Sequence, residues 1–151
     1  MSHTAARRSA ASHGQAAATP KTIKNHQTMT LNEYQDKAME TCLPESENFS
    51  YMMLNLVGEV GEFAGKVSKY IRKHRARIDQ DQDFIFTGEC TVKEADDYMN
   101  ALSREAGDIL WQLAGLCTVM GWNLEIVAQQ NLAKLRDRQN RGVIASSGDD
   151  R

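Results

Sequence analysis

Gly58-Glu59-Val60-Gly61-Glu62 sets two carboxylates three residues apart inside a run that otherwise reads as a packed helix. Around it, Met53, Leu56, Val57, Val60, Phe63, Ala64, Val67, Tyr70 and Ile71 recur at three- and four-residue steps between about Phe49 and about Arg75. That period is a helical apolar stripe. Gly58, Gly61 and Gly65 interrupt it. Each weakens the helix relative to Ala, and together they predict close approach of another helix or of a ligand. A second acid pair, Glu105 and Asp108, stands in Glu105-Ala106-Gly107-Asp108-Ile109-Leu110-Trp111. Residues three apart share a helix face, so each pair forms a two-carboxylate edge beside apolar side chains. Burying an unpaired carboxylate is costly, and a hard cation would relieve it. The competing reading is a solvated face, with Glu62 and Lys66 as an i,i+4 ion pair. Spacing alone leaves both open.

Toward the N-terminus, Thr30-Leu31-Asn32-Glu33 is a capping box and opens a short helix to about Cys42, closed by Pro44. Its Gln35 and Thr41 suit either solvent or a site. Residues 1–28 are small, polar and aperiodic, the composition of a disordered tail, and their histidines (His3, His13, His26) are too scattered for a metal tract. Arg7 and Arg8 precede no apolar segment, so a secretory signal is not expected; an organelle transit peptide is the lesser alternative.

Toward the C-terminus, the first long helix ends in the cations Lys69, Arg72, Lys73, His74, Arg75 and Arg77, which suit a helix C-terminus. Residues 78–90 read as a connector. Asp79, Asp81 and Asp83 imitate a calcium loop there, but Phe84 and Cys90 replace the required Gly and Glu. Phe84, Ile85 and Phe86 are expected to tuck that connector onto the bundle or a partner subunit. Thr91-Val92-Lys93-Glu94 is a second capping box, opening a helix to about Met120 with Gly121 as its stop. Its stripe is Tyr98, Ala101, Leu102, Ile109, Leu113, Leu116, Cys117 and Met120, with Trp111 read as a core residue. Asn123 caps a last helix to about Arg138, and an extended tail follows.

The expected fold is all-α: four main helices in a bundle, the first short, completed by oligomerisation. The chain of 151 residues is one domain by size, 29–151, behind the tail. A formal charge of -2 gives no drive toward nucleic acid or membrane surfaces, and no apolar run reaches the roughly 20 residues of a membrane span. Three dispersed cysteines, Cys42, Cys90 and Cys117, suit a reducing compartment, so the cytoplasm is expected.

If the two long helices pack antiparallel, Glu59, Glu62, Glu105 and Asp108 converge. Oxygen-only ligands suit Mg²⁺, with Mn²⁺ as the alternative. Zinc would want His or Cys beside the acids, and a di-iron bundle would want Glu-x-x-His; neither is present.

The acid motifs, followed by Asn131-Leu132-Ala133-Lys134-Leu135-Arg136-Asp137-Arg138 and Arg141-Gly142-Val143-Ile144, resemble the MazG-like nucleotide pyrophosphohydrolases, an all-α group, over roughly residues 30–151. The resemblance implies an enzyme that cleaves a (deoxy)nucleoside triphosphate between the α- and β-phosphates, giving the monophosphate and pyrophosphate. It implies Glu59, Glu62, Glu105 and Asp108 as metal ligands and catalytic groups, with Mg²⁺ as cofactor. It also implies Lys66, Asn131, Lys134 and Arg138 as substrate-binding residues. The segment from Arg141 to Arg151 would close over the nucleotide, and the assembly would be a homodimer or homotetramer. The interval from Glu62 to Glu105 is longer than in compact members, and the excess falls in the basic helix end and the connector. Two alternatives stand beside this reading: a phosphoribosyl-ATP pyrophosphohydrolase, and a non-enzymatic helical interaction module.

Overall fold

The computed structural model describes residues 28–143. The tail expected over residues 1–28, apart from Thr28 itself, and the segment beyond Val143 lie outside the described residues. Four helices form the framework: α1 (Leu31–Met39), α2 (Phe49–Arg72), α3 (Val92–Val119) and α4 (Leu124–Asn140). A short turn of 3₁₀ helix, Pro44–Ser46, joins α1 to α2. Between α2 and α3 lies an antiparallel pair, β1 (Ala76–Ile78) and β2 (Phe84–Phe86), with Ala76 opposite Phe86.

Helix starts follow local chemistry. At α1, Thr30 Oγ1 accepts from the Glu33 amide while the Glu33 carboxylate accepts from the Thr30 amide, at 3.1 and 2.7 Å. Thr91 and Glu94 repeat the arrangement at α3, at 3.2 and 2.8 Å. Asn48 and Asn123 cap α2 and α4 by accepting from the amides of Tyr51 and Ile126. Each cap satisfies an amide that the helix leaves unpaired.

Helix ends follow a common device. Gly121 and Gly142 have φ of 68° and 70°. The amide following each reaches back five residues, Trp122 to the Cys117 carbonyl and Val143 to the Arg138 carbonyl. This is the Schellman arrangement, in which glycine takes the left-handed position without steric cost. α2 ends the same way, with His74 at φ 56° and the Arg75 amide on the Tyr70 carbonyl. The helix therefore stops at Arg72, three residues earlier than its cations suggest, and turns directly into β1.

That turn corrects the reading of residues 78–90 as a plain connector. The Asp79 carboxylate accepts from the amides of Asp81 and Asp83 at 3.0 and 2.9 Å, and Gln82 takes φ 68°. The aspartates thus build a hairpin turn of the kind short acceptor side chains favour. Phe84 and Phe86 do fold onto the bundle. They meet Tyr98 of α3 at ring-centroid distances of 5.7 and 5.8 Å, and Tyr98 stacks on Tyr70 of α2 at 3.6 Å.

The core is small and sits where α1, α3 and the start of α4 meet. Ala38, Ala114, Cys117 and Leu124 are buried, with Leu31, Tyr34, Met39, Trp111 and Val127 packed around them. Gln35 is buried inside this end and fully used. It donates to Thr118 Oγ1 and the Trp122 carbonyl, both at 3.0 Å, and accepts from the Leu124 amide at 2.8 Å. Trp111 donates to the Ala38 carbonyl and to Thr41 Oγ1, both at 3.0 Å. Gln35, Thr41 and Trp111 are thereby all structural.

α2 and α3 pack along most of their length, and Gly115 of α3 lies hard against α2. A Cβ there would collide with the thioether of Met52, the one fully sealed residue of α2. The expected α2 stripe, which took Met53 and not Met52 as inward, divides. Leu56, Phe63, Val67 and Tyr70 are half-buried, whereas Met53, Val57, Val60 and Ala64 are exposed. In α3, Leu113 and Met120 are likewise exposed, and Glu105 and Gln112 take buried places on the stripe instead.

Candidate functional site

Glu59 and Glu62 lie one turn apart on α2, and Glu105 faces them from α3. Oxygens of the three carboxylates all lie within 4.8 Å of one another. Glu105 is buried, Glu59 is half-buried and Glu62 is exposed, so the cluster is open on one side. Lys66, one turn beyond Glu62, sends its ammonium to Glu105 at 2.8 Å. Lys66 therefore pairs across the groove with Glu105, whereas simple helix spacing pairs it with Glu62. This contact holds the lysine pKa above its usual value, with the Glu105 hydrogen bond as the main cause.

The surroundings of Glu59 shift its protonation. Its pKa is raised, first by desolvation, then by the charges of Asp108, Glu62 and Glu105, with Lys66 opposing. All three causes of charge repulsion are the other members of the two sequence pairs. Asp108 is exposed and stands outside the close triad, yet it weighs on Glu59 more than either neighbour in the triad does. An oxygen-only set with one buried, one half-buried and one exposed carboxylate could hold a hard cation that keeps part of its water shell.

Two residues near the acids escaped the sequence reading. Tyr34 of α1 has a raised pKa, from burial first and the charge of Asp108 second. It was legible only as an apolar position of a short helix. Gln112 is buried on α3, seven residues on from Glu105 and thus two turns along the same face, and its side-chain oxygen has no hydrogen-bond partner among the described residues. A buried acceptor without a partner costs about 1–3 kcal/mol. A glutamine within an apolar stripe is the sequence signal for it. Tyr98 has the same deficit at its hydroxyl.

The fold does not gather the remaining candidates with the acids. Asn131, Lys134 and Arg138 are on α4, which packs chiefly against α1. The α1 and α4 starts clasp each other: Leu31 donates to Glu125 and Glu125 donates to Asn32. Beyond that clasp, every residue from Gln129 to Asp137 is exposed, including Asn131 and Lys134; Arg138 is half-buried. Gly58, Gly61 and Gly65 also meet nothing among the described residues. A Cβ at each would have no atom within 4 Å, so the expected close approach is not made by α3.

Residues 47–143 match the MazG nucleotide pyrophosphohydrolase domain, and the chain belongs to that family. Among curated proteins it is similar to the "Gene 37 protein" of Mycobacterium phage L5, 37% identical over 130 residues that cover 82% of this chain and 100% of the relative. No solved structure matches the chain. Among the described residues no helix is long and apolar enough to cross a membrane.

Proposed function

We propose that the protein is a Mg²⁺-dependent hydrolase that splits a (deoxy)nucleoside triphosphate between its α- and β-phosphates, releasing the nucleoside monophosphate and pyrophosphate. The observation that carries this reading is the convergence of Glu59, Glu62 and Glu105 within 4.8 Å in a chain of a nucleotide pyrophosphohydrolase family. We assign these three and Asp108 as the ligand set, with Mn²⁺ as a substitute ion. A divalent ion there would neutralise phosphate charge and acidify a bound water. The protein's own work is positional. α2 and α3 hold the acids in register, Glu105 from a buried place and Glu62 from an open one. Glu59, whose pKa is raised by desolvation and then by the neighbouring carboxylate charges, is the group suited to take a proton from the attacking water. Were Glu105 to hold an ion, the Lys66 ammonium now paired with it would be free to bind a phosphate.

We further propose a homodimer or homotetramer in the cytoplasm, with the working domain spanning 29–151 and therefore including α1. Leu54 and Val57 of α2 are 72% and 62% exposed beside the unfilled glycines, and Leu132 of α4 is 62% exposed. Apolar surface of that extent suits a second copy. In such an assembly Asn131, Lys134 and Arg138 would bind the phosphates of a neighbouring subunit's substrate. The free cysteines Cys42, Cys90 and Cys117 suit a reducing compartment.

The test is a panel of nucleoside triphosphates and phosphoribosyl-ATP, assayed for pyrophosphate release with and without Mg²⁺. Magnesium-dependent pyrophosphate is the expected product. Orthophosphate would overturn the bond assignment, and inertness toward the whole panel would overturn the activity.

A further inference from the structure

Next to the acids, along the same α2/α3 groove, lies a cavity of about 280 Å³. Lys66 and Lys69 of α2 and Lys73 at its C-terminal end line it, at i, i+3 and i+7, so three cationic side chains border one opening. Tyr70 and Tyr98 contribute its aromatic walls, and Asp97 is the carboxylate present there. Lys66 is paired with Glu105, whereas the side chains of Lys69 and Lys73 make no hydrogen bond or ion pair among the described residues. A helix C-terminus favours cations by itself. That preference does not require the lysines to border a cavity, nor the cavity to adjoin a carboxylate cluster.

The walls are fixed from behind. Tyr98 stacks on Tyr70 and is held by Phe84 and Phe86 of the hairpin. Tyr70 also donates to the Glu94 carbonyl at 3.2 Å. Tyr98 is 3% exposed and its hydroxyl has no partner among the described residues. The hairpin thus props a rigid aromatic surface under a row of cations. From Glu62 to Lys69 the helix rises roughly 10 Å, which a triphosphate tail and extended lysine side chains span together.

We infer that Lys69 and Lys73, with Lys66, form an anion subsite that receives the terminal phosphates of the substrate and so holds the pyrophosphate leaving group. This rests on the proposed pyrophosphohydrolase activity, which assigns the bond to be cut; the subsite assigns which way the substrate lies. The nucleoside then points toward the α1 end of the groove, and the phosphate tail toward the hairpin.

The experiment uses the full chain with the double substitutions Lys69→Ala/Lys73→Ala and Lys69→Arg/Lys73→Arg. Inorganic pyrophosphate is titrated calorimetrically into each protein, and KM, kcat and inhibition by pyrophosphate are measured with whichever triphosphate is turned over. The alanine pair is expected to weaken pyrophosphate binding by about tenfold or more, as loss of charge-assisted contacts should. It should raise KM more than it lowers kcat, and the arginine pair should restore most of both. Both lysines are exposed, so the melting temperature should stay put and exclude a merely structural effect. Unchanged pyrophosphate affinity in the alanine pair overturns the subsite, even if the enzyme releases pyrophosphate normally. If no nucleotide is hydrolysed, the activity fails, and the calorimetric comparison still decides the subsite.

Discussion

The two ends of the α2/α3 framework treat polar groups in opposite ways. At the α1/α4 end, Gln35 is buried and every hydrogen bond it can readily make is made. At the acid end, Glu59, Glu62 and Glu105 crowd together with the charge of Asp108 felt from outside the triad, and Lys66 makes an ion pair into the cluster. The first arrangement is complete within the chain. The second is short of positive charge, which raises the Glu59 pKa. Polar groups that serve the fold find their partners inside it, while groups that serve a ligand are left wanting one.

Substitutions at the two ends should therefore part company. The largest expected effect is on turnover. Glu62→Gln should lower the rate of pyrophosphate release by on the order of 10²-fold or more, the scale of losing one charge-stabilising group at a reacting centre. The far-ultraviolet circular dichroism should not change, because Glu62 is exposed. Full activity in this variant would mean that the triad is not the site. At the complete end the sign of the stability change is unambiguous. Gln35→Met keeps the volume but strands the buried Leu124 amide, and denaturant unfolding should report a loss of about 1–3 kcal/mol. Divalent-cation binding should survive it.

A smaller loss, about 1 kcal/mol, is expected for Thr91→Ala at the α3 capping box, read from the same unfolding curves. The finest discrimination comes from Glu59. Its raised pKa means that the metal-free native state holds a proton which the unfolded chain gives up. Stability should consequently fall as pH climbs from the ordinary carboxylate value through the raised one. Glu33 and Glu94, lowered by the amide hydrogen bonds they accept, act oppositely. Their contribution is present above the ordinary value and is lost as pH falls through the lowered one. Glu59→Gln should remove the first trend, leave the second, and slightly stabilise the metal-free protein while impairing turnover. A pH profile unaltered by that substitution would break the contrast between the two ends.

What could be read from the residues follows the range of the interactions involved. Capping boxes at Thr30 and Thr91 and the stop at Gly121 are local, and they stand where the spacing puts them. The convergence of Glu59, Glu62 and Glu105 was accessible because i,i+3 geometry and antiparallel packing require nothing else. The hairpin was not, since its strands are three residues long and its left-handed positions are His74 and Gln82, without glycine as a signal. Nor could α2 reveal which apolar residues face inward. Its stripe is wider than one partner can cover, so Met52 is sealed while Met53 is 42% exposed. Tyr34 reaches the neighbourhood of Asp108 only through the packing of α1 on α3, which no local pattern encodes.

The Lys66–Glu105 contact has one more consequence. Because the ammonium is tethered, it occupies its place without drawing on any free ligand. It acts as a built-in competitor. A monovalent ion offers the carboxylates no more charge than the lysine already does and must surrender its own freedom to enter. An ion with twice the charge can win. If the carboxylates hold a cation, the lysine would set a threshold for its admission, one that disfavours sodium and potassium before any question of coordination geometry arises.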